Sequence, residues 1–106
     1  MMWRFVDTGL NTGAYNMQYD IDLAASVAED EAILRLYRWE PYCISLGAHQ
    51  DESVVDYDRC REYNLDVVKR PTGGRAILHA EELTYSVVMH CSAENTPGPC
   101  HFAQPR

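Results

Sequence analysis

The alternation of apolar and polar residues is most regular at positions 83–90. Large apolar side chains occupy every second position there, and this period of two predicts a half-buried β-strand. Residues 14–30 follow another period, with apolar residues at spacings of three and four, which predicts a helix with one stripe facing a core. That stripe consists of Met17, Ile21, Ala24, Ala25 and Ala28. We expect the acidic residues Asp20 and Asp22 to lie mostly off it.

Shorter apolar runs predict further strands, at residues 3–8, 32–39, 42–46, 65–70 and 77–79. Asn11 or Thr12 can cap the first helix, and a second helix is predicted over residues 52–63, with Ser53 as its cap and Asn64 as its left-handed stop. Together these elements predict an α/β fold of the mixed, α+β type. We expect a largely antiparallel mixed sheet of five or six strands, with two helices against one face.

The length of 106 residues predicts at most one small domain with a modest core. Hydrophobic residues make up 46% of the chain, which is typical of a folded protein and excludes a disordered one. The apolar pattern stops at Cys91. Residues 92–106 hold three prolines and one glycine, and therefore predict an irregular C-terminal tail after a domain at residues 1–91.

The formal net charge of −7 argues against a nucleic-acid partner, because binding to phosphates requires a basic surface. No apolar run approaches the roughly 18 residues that a membrane span requires. The first residues, MMWRF, lack the layout of a signal peptide. We therefore predict a cytoplasmic protein with neither nucleic acid nor membrane as a partner.

The four cysteines, Cys43, Cys60, Cys91 and Cys100, show no Cys-x-x-Cys spacing, so free thiols are the simplest prediction. Two of them have a histidine next to them, in His90-Cys91 and Cys100-His101. Zinc ligands usually come as pairs separated by a turn, and adjacent pairs fit such a site poorly. We predict no metal site.

Positive charge is concentrated around a glycine-rich turn. Residues 67–79 contain three of the nine basic residues, including the only lysine. Two successive glycines allow another molecule to come close to the main chain, and Pro71 favours an extended conformation at Arg70. Lys69 and Arg70 then point to opposite faces of a strand. We predict that Arg70 faces the ligand, because its planar fork can bind a phosphate or carboxylate at two points.

This turn, which we call the glycine loop (residues 70–76), matches neither a P-loop nor a dinucleotide fingerprint, because a strand and not a helix follows it. A tight hairpin between two strands is the alternative, since Gly-Gly is a favoured hairpin dipeptide. The hairpin leaves the cationic cluster without an explanation. Both interpretations stay open at this point.

The run RPTGGRAILH at residues 70–79, followed by ELTYSV at 82–87, resembles the lipoate-protein ligase and octanoyltransferase family, and is most similar to its Gram-positive octanoyltransferase branch. That family shares a catalytic domain with biotin-protein ligases. The resemblance implies transfer of an octanoyl or lipoyl group to a lysine of a lipoyl carrier domain. It also implies a set of substrate-binding residues along the acyl tunnel: Arg70, Thr72, Gly73, Gly74, Arg75, Ala76 and His79.

Two further stretches share the resemblance: Asn16, Met17 and Asp20 in the first helix, and the glycine-then-glutamine loop at residues 45–50. One position departs from the pattern. The ligase branch usually has an aspartate directly after the histidine, where this chain has Ala80, and Glu81 is the next acidic residue.

The resemblance covers roughly the first half of the family's catalytic domain. In relatives, the thiolate nucleophile or the lysine that steadies an acyl-adenylate lies further downstream. The catalytic residue is therefore unassigned, and Cys91 and Cys100 do not stand in a matching context. No covalent cofactor is implied. The resemblance implies lipoate or an octanoyl group as the substrate and allows an acyl carrier protein as the donor; it implies ATP and magnesium only if the protein is a ligase.

Three hypotheses follow. The chain is a truncated family member that is inactive or incomplete alone, or it is one half of a split ligase that a second chain completes. The third hypothesis is a noncatalytic module that binds an acyl group or a lipoyl domain. For the site itself, replacing Arg70 by alanine is expected to weaken binding of an acyl ligand or acyl-adenylate and to leave the fold intact.

Overall fold

The computed structural model describes residues 2–90 and the backbone of residues 100–103. These described residues form two α-helices, one short 3₁₀ turn and seven strands. In chain order they are β1 (Met2–Asn11), α1 (Gly13–Ser26), β2 (Glu31–Trp39), β3 (Cys43–Leu46), the 3₁₀ turn (Glu52–Val54), α2 (Tyr57–Glu62), β4 (Asp66–Lys69), β5 (Ile77–His79), β6 (Thr84–His90) and β7 (Cys100–Ala103). Neither helix has the length and apolar character needed to cross a membrane.

The strands form two mixed sheets, and the predicted α+β class with two helices is confirmed. The first sheet has the order β1-β2-β6-β7, and the second has the order β4-β3-β5. Three of the five pairings among the described strands are antiparallel; β1 with β2 and β3 with β4 are parallel. We predicted a single sheet. The turn at residues 40–42 instead carries the chain from β2 in one sheet to β3 in the other.

Helix α1 begins where predicted, at its cap Thr12, whose side-chain oxygen accepts a hydrogen bond from the Tyr15 N–H at 3.2 Å. It ends at Ser26, earlier than the predicted residue 30, because the backbone turns extended at Val27. The buried face also differs from the predicted stripe. Ile21 is exposed, and the buried residues are Gly13, Asn16, Met17, Asp20 and Leu23.

Two apolar clusters form the core under α1. One contains Met17, Tyr37, Trp39 and Cys43, and the other contains Leu23, Val27, Ile33 and Val88. A polar cluster lies between the helix and the first sheet. The Arg35 guanidinium donates to Asp20 Oδ1 at 2.9 Å and to Asn16 Oδ1 at 2.7 Å, and Ser86 Oγ donates to Asp20 Oδ1 at 2.8 Å. The prediction that Asp20 lies off the packed face was wrong, because Asp20 pairs with a buried arginine that the helical period cannot reveal.

The predicted second helix is divided into two short pieces. Asp51 caps the 3₁₀ turn by accepting from the Ser53 N–H, and Asp56 caps α2 by accepting from the Arg59 N–H. The prediction of Ser53 as the cap was therefore wrong. Two aspartate caps five residues apart start two helical pieces where the pattern suggested one. Asn64, with a φ of 55°, is the left-handed stop that was predicted.

Strand β7 pairs antiparallel with β6. Its four residues lie in the stretch predicted to be an irregular tail, so the tail forms a strand at residues 100–103. Residues 91–99 and 104–106 are outside the described part of the chain. The domain boundary after residue 91 stays a prediction.

Candidate functional site

The glycine loop does not close a hairpin. Strands β4 and β5 flank β3 on opposite sides, so neither pairs with the other. The chain leaves β4 at Lys69, crosses over the end of β3 and returns along its other edge from Ile77. This topology excludes the hairpin alternative and places the glycine loop above the turn that follows β3.

That turn, at residues 47–50, is in direct contact with the glycine loop. The Ala48 N–H donates to the Thr72 carbonyl at 2.8 Å, and the Arg70 N–H donates to the Leu46 carbonyl at 2.8 Å. A Cβ on Gly47 would overlap the carbonyl oxygen of Gly74. Only a residue without a side chain allows the two backbones to approach this closely.

Arg70 is buried beneath the glycine loop, with 4% of its surface exposed. Its Nη1 donates to the Ser45 carbonyl at 2.8 Å and to Ser45 Oγ at 2.6 Å. Its Nη2 donates to the carbonyls of Gly73 at 3.2 Å and Arg75 at 2.7 Å. Each terminal nitrogen carries two hydrogens, so all four are used within the protein. Lys69 is exposed, as expected for the opposite face of the strand.

The buried Arg70 guanidinium therefore stabilises the conformation of the glycine loop through hydrogen bonds to its carbonyls. We predicted that its fork faces a ligand; the geometry gives the fork's four terminal hydrogens to protein oxygens instead. The expectation that Arg70→Ala would leave the fold intact also changes. Removing this side chain would leave the carbonyls of Ser45, Gly73 and Arg75 without their donors.

The direction of these carbonyls sets the direction of the neighbouring N–H groups. In a trans peptide the C=O of one residue and the N–H of the next point to opposite sides of the same plane. Because Arg70 holds the Gly73 and Arg75 carbonyls inward, the N–H groups of Gly74 and Ala76 point outward. Neither N–H donates to an acceptor in the described part of the chain, and both residues are exposed. This surface presents two donors to a carbonyl, carboxylate or phosphate.

The other residues of the predicted set differ in their surroundings. Thr72 is partly buried, and Arg75 is exposed. Gly74 has a φ of +102°, a left-handed conformation that other residues adopt only with strain. Gly73 has open space around it, since a Cβ there would meet nothing within 4 Å. The structure thus leaves Gly73 accessible to a ligand and uses Gly74 for the bend.

His79 lies at the far end of the segment and is 2% exposed. Its Nε2 is 2.7 Å from Ser45 Oγ, its Nδ1 is 3.1 Å from Glu82 Oε1, and its ring stacks on Trp39 with centroids 4.1 Å apart. Burial lowers the pKa of His79, and the Glu82 carboxylate only partly opposes that effect. Ser45 therefore connects Arg70 and His79, two residues that the sequence prediction had assigned separately.

The sequence analysis did not assign a role to several residues that contact Arg70 or His79. Ser45 begins the matched stretch at 45–50, and Glu82 begins the matched run at 82–87, so both were visible there without a role. Glu81, the nearest acidic residue to Ala80, instead accepts from Tyr42 Oη at 3.1 Å. Trp39 and Thr84 carried no sequence signal of this kind. They join the site because Trp39 Nε1 donates to Thr84 Oγ1 at 2.8 Å, and Thr84 Oγ1 donates to Glu82 Oε2 at 3.0 Å.

Two hollows lie beside the segment. One, of about 360 Å³, has mainly aliphatic walls and includes Ala76, together with Ile44, Val54, Val55, Cys60 and Leu65. The other, of about 830 Å³, is lined by residues 80–83 and by the turn after β2. Their volumes fall in the range of small-molecule sites. The glycine loop is thus adjacent to a hollow at its Ala76 end.

The two cysteines among residues 2–90 are both free thiols with buried side chains. Cys43 is fully buried, and burial together with the Asp66 charge raises its pKa to about 12. Cys60 is also buried, in contact with the hollow beside Ala76. A thiol nucleophile requires a lowered pKa and access to the substrate. In the same part of the chain, no group of three or more His, Cys, Asp or Glu residues gathers as a metal site would require.

Comparison with known sequences places this geometry in a family. The profile of the lipoyl protein ligase A/B catalytic domain matches residues 12–102. The chain belongs to this family. It is 43% identical over 90 residues to octanoyltransferase LipM of Clostridioides difficile and 40% identical over 90 residues to that of Bacillus subtilis. These matches cover 82% of this chain and 33% and 32% of the two relatives, so the chain spans about a third of their length.

Solved structures of this family have the same fold. Ta0514, described as a lipoate protein ligase of T. acidophilum and solved with bound lipoic acid, superimposes with a TM-score of 0.70 at 27% identity, over 90% of this chain and 41% of that one. Lipoate-protein ligase A bound with ATP gives 0.70 at 28% identity, over 87% and 38%. A bipartite lipoate protein ligase from Thermoplasma acidophilum gives 0.69 at 28% identity, over 86% and 37%.

Proposed function

We propose that this chain contributes the glycine-loop part of an acyl-binding site in an enzyme that transfers an octanoyl or lipoyl group to a lysine of a lipoyl carrier domain. One observation carries the proposal. In a chain of the lipoyl protein ligase A/B family, Arg70 turns two loop carbonyls inward and so presents the Gly74 and Ala76 N–H groups on the surface. The acyl carbonyl, or the phosphate of an acyl-adenylate, accepts from these two groups.

The proposal divides the predicted substrate-binding residues by role. Gly73, Gly74 and Ala76 contact the acyl carbonyl or adenylate through the main chain, and Arg75 supplies an exposed positive charge beside it. Thr72 connects the glycine loop to residue 48. Arg70 and His79, both buried, support the loop from below. All seven predicted residues thus remain at the site, but Arg70 and His79 support the loop and do not contact the substrate.

The chain does not complete the reaction with residues 2–90. Acyl transfer requires a nucleophile or a group that stabilises an acyl-adenylate. Cys43 is fully buried and its pKa is about 12, so it does not meet this requirement, and Cys60 is also buried, with 5% of its surface exposed. We therefore propose that the acyl-transfer step depends on residues outside the described part.

A second chain is one source of such residues. The bipartite lipoate protein ligase of Thermoplasma acidophilum, described together with its E2 lipoyl domain, is similar to this chain in fold, at 28% sequence identity. This chain covers 37% of the matched ligase chain, and we propose a second chain as the source of the residues that correspond to the remainder. In this proposal a lipoyl domain accepts the acyl group. The donor is an acyl carrier protein, or free lipoate with ATP and magnesium. The reaction takes place in the cytoplasm.

Ligand binding tests the acyl-site proposal. The 106-residue chain is titrated with octanoate and with lipoate, and amide shifts are followed by NMR. We expect Gly74 and Ala76 to show the largest changes. Gly73→Val places a side chain in open space beside the two donors, so it should weaken binding at least tenfold without lowering the unfolding midpoint. Ala28→Val, at an exposed position far along the chain, is the matched control.

Turnover tests the dependence on further residues. The chain is mixed with an octanoyl thioester, or with lipoate, ATP and magnesium, and modification of a lipoyl domain is followed by mass spectrometry. We expect no transfer by residues 1–106 alone, and transfer when the remainder of a family catalytic domain is added as a second chain. Transfer by the unaided chain would refute this part of the proposal, and binding that Gly73→Val leaves unchanged would refute the acyl site.

A further inference from the structure

A continuous line of polar contacts runs from Glu82 to the glycine loop. Glu82 Oε1 contacts His79 Nδ1 at 3.1 Å, His79 Nε2 contacts Ser45 Oγ at 2.7 Å, and Ser45 Oγ contacts Arg70 Nη1 at 2.6 Å. Arg70 then holds the carbonyls of Gly73 and Arg75. Glu82 is the partly exposed end of this line, whereas Ser45, Arg70 and His79 are buried.

The chemistry of the donors determines where each proton lies. Arginine can only donate, so Ser45 Oγ accepts from Arg70 Nη1. The single hydroxyl hydrogen of Ser45 finds an acceptor in His79 Nε2 when that ring nitrogen is unprotonated. The remaining ring proton is on Nδ1 and is donated to the Glu82 carboxylate. Every donor in the line has one acceptor, and the arrangement is self-consistent with a neutral histidine.

Reversing the histidine tautomer would break this consistency. With the proton on Nε2, both His79 and Arg70 would donate to Ser45 Oγ, and the buried Ser45 hydroxyl hydrogen would lose its acceptor. The Ser45 side chain would have to rotate to give this hydrogen another acceptor, and Arg70 Nη1 would then lose one of its two contacts with Ser45, which loosens the guanidinium that holds the two loop carbonyls. The carboxylate at position 82 is the group that favours the Nδ1 proton.

We propose that Glu82 is a positioning residue, which fixes the tautomer of His79 and, through Ser45 and Arg70, holds the Gly74 and Ala76 N–H groups in the orientation that receives the acyl carbonyl. This inference rests on the proposed acyl site for its functional consequence. The orienting role itself rests only on the contacts of the four side chains.

The surroundings of His79 keep the line isolated. Trp39 from β2 covers one face of the ring, and Thr84 from β6 holds the second oxygen of Glu82. Cys43 on β3 is the residue that pairs with His79 in the antiparallel ladder between β3 and β5. The charged groups that act on the ring are the Glu82 carboxylate, which favours its protonation, and the Arg70 guanidinium, which opposes it. Burial adds to the effect of Arg70, in agreement with a neutral ring.

Two variants separate the charge of residue 82 from its hydrogen bond, and a third is a control. Glu82→Ala removes the acceptor. Glu82→Gln keeps an amide oxygen that can accept from His79 Nδ1 without a charge. Glu81→Ala is the matched control, because it removes a neighbouring carboxylate that contacts Tyr42 and not His79.

Two measurements need no acyl ligand. Nitrogen NMR shifts of the His79 ring report its tautomer, with His79→Asn identifying the signal among the four histidines. Proton exchange at the Arg70 side chain reports how firmly the guanidinium is held. We expect the Nδ1–H tautomer in the unaltered chain and in the Glu82→Gln and Glu81→Ala variants. In the Glu82→Ala variant we expect a shift toward Nε2–H and at least tenfold faster exchange at Arg70.

Octanoate affinity is the third measurement. We expect Glu82→Ala to weaken it at least fivefold, and the Glu82→Gln and Glu81→Ala variants to stay within twofold of the unaltered chain. An Nε2–H tautomer in the unaltered chain would overturn the inference, and so would Glu82→Ala leaving both the tautomer and Arg70 exchange unchanged. If the unaltered chain binds no octanoate, the proposed function fails, whereas the tautomer and exchange results still decide whether Glu82 orients Arg70.

Discussion

Gly47 lies so close to Gly74 that a Cβ on Gly47 would overlap the Gly74 carbonyl oxygen. The contact joins the turn after β3 to the glycine loop. Because the obstacle is backbone and not a flexible side chain, Gly47→Ala must displace one of the two turns. We expect a loss of about 1–3 kcal/mol in the free energy of unfolding, which is typical of overpacking.

Chemical denaturation measures this change, and Gly73→Ala is its control. Gly73 lies in the same loop, but a Cβ there meets nothing within 4 Å. Its substitution by alanine should be neutral or slightly stabilising. Equal effects of the two variants would contradict the close approach of the two turns.

Asp20 and Arg35 form an ion pair with both side chains fully buried. The Arg35 guanidinium also lies over the Tyr37 ring, 3.8 Å from its centroid. Asp20→Ala would leave the arginine charge buried without its carboxylate, which we expect to cost about 3–5 kcal/mol of stability. Asp22→Ala, on the exposed side of the same helix, should stay within about 0.5 kcal/mol. Urea unfolding of the two variants compares them, and similar midpoints would show that the buried pair is not a determinant of stability.

His79 makes stability depend on pH below its ordinary pKa of 6.5. Its pKa is lowered in the folded chain, mainly by burial, so the unfolded state binds more protons as pH falls. Stability from this group is therefore complete above pH 6.5 and declines as the pH drops below it. Thermal unfolding between pH 7.5 and 5 should show this decline, and His79→Asn should flatten it. An unaltered slope in that variant would assign the dependence to another group.

Cys43 should be unreactive in the folded protein. Its pKa rises from 9.0 to about 12, so the thiolate fraction at pH 8 falls about a thousandfold. Alkylation with iodoacetamide, followed peptide by peptide with mass spectrometry, should label Cys43 in urea and leave it unlabelled in buffer over the same time. Rapid labelling of the native chain would show that the second sheet opens at β3.

Much of the fold follows from local patterns in the sequence. The period of two at residues 83–90 determines β6, and Thr12 and Asn64 mark element ends through preferences of their own backbone and side chains. The run at residues 70–79 was sufficient to indicate the family, which the match to residues 12–102 confirms. These features depend on neighbouring residues, so they can be recognised without knowledge of the rest of the chain.

Tertiary structure decided which groups meet across long separations. Arg70 looked like a ligand-binding residue because its charge and its position before Pro71 are visible in the sequence. The sequence does not show that Arg70 is buried under its own loop, where it contacts Ser45 from another strand. The same holds for Asp20, which pairs with Arg35 across the helix–sheet interface. A sequence pattern shows that a polar residue is present and which element holds it, but the packing of one element on another determines whether its hydrogens point to solvent or into the protein.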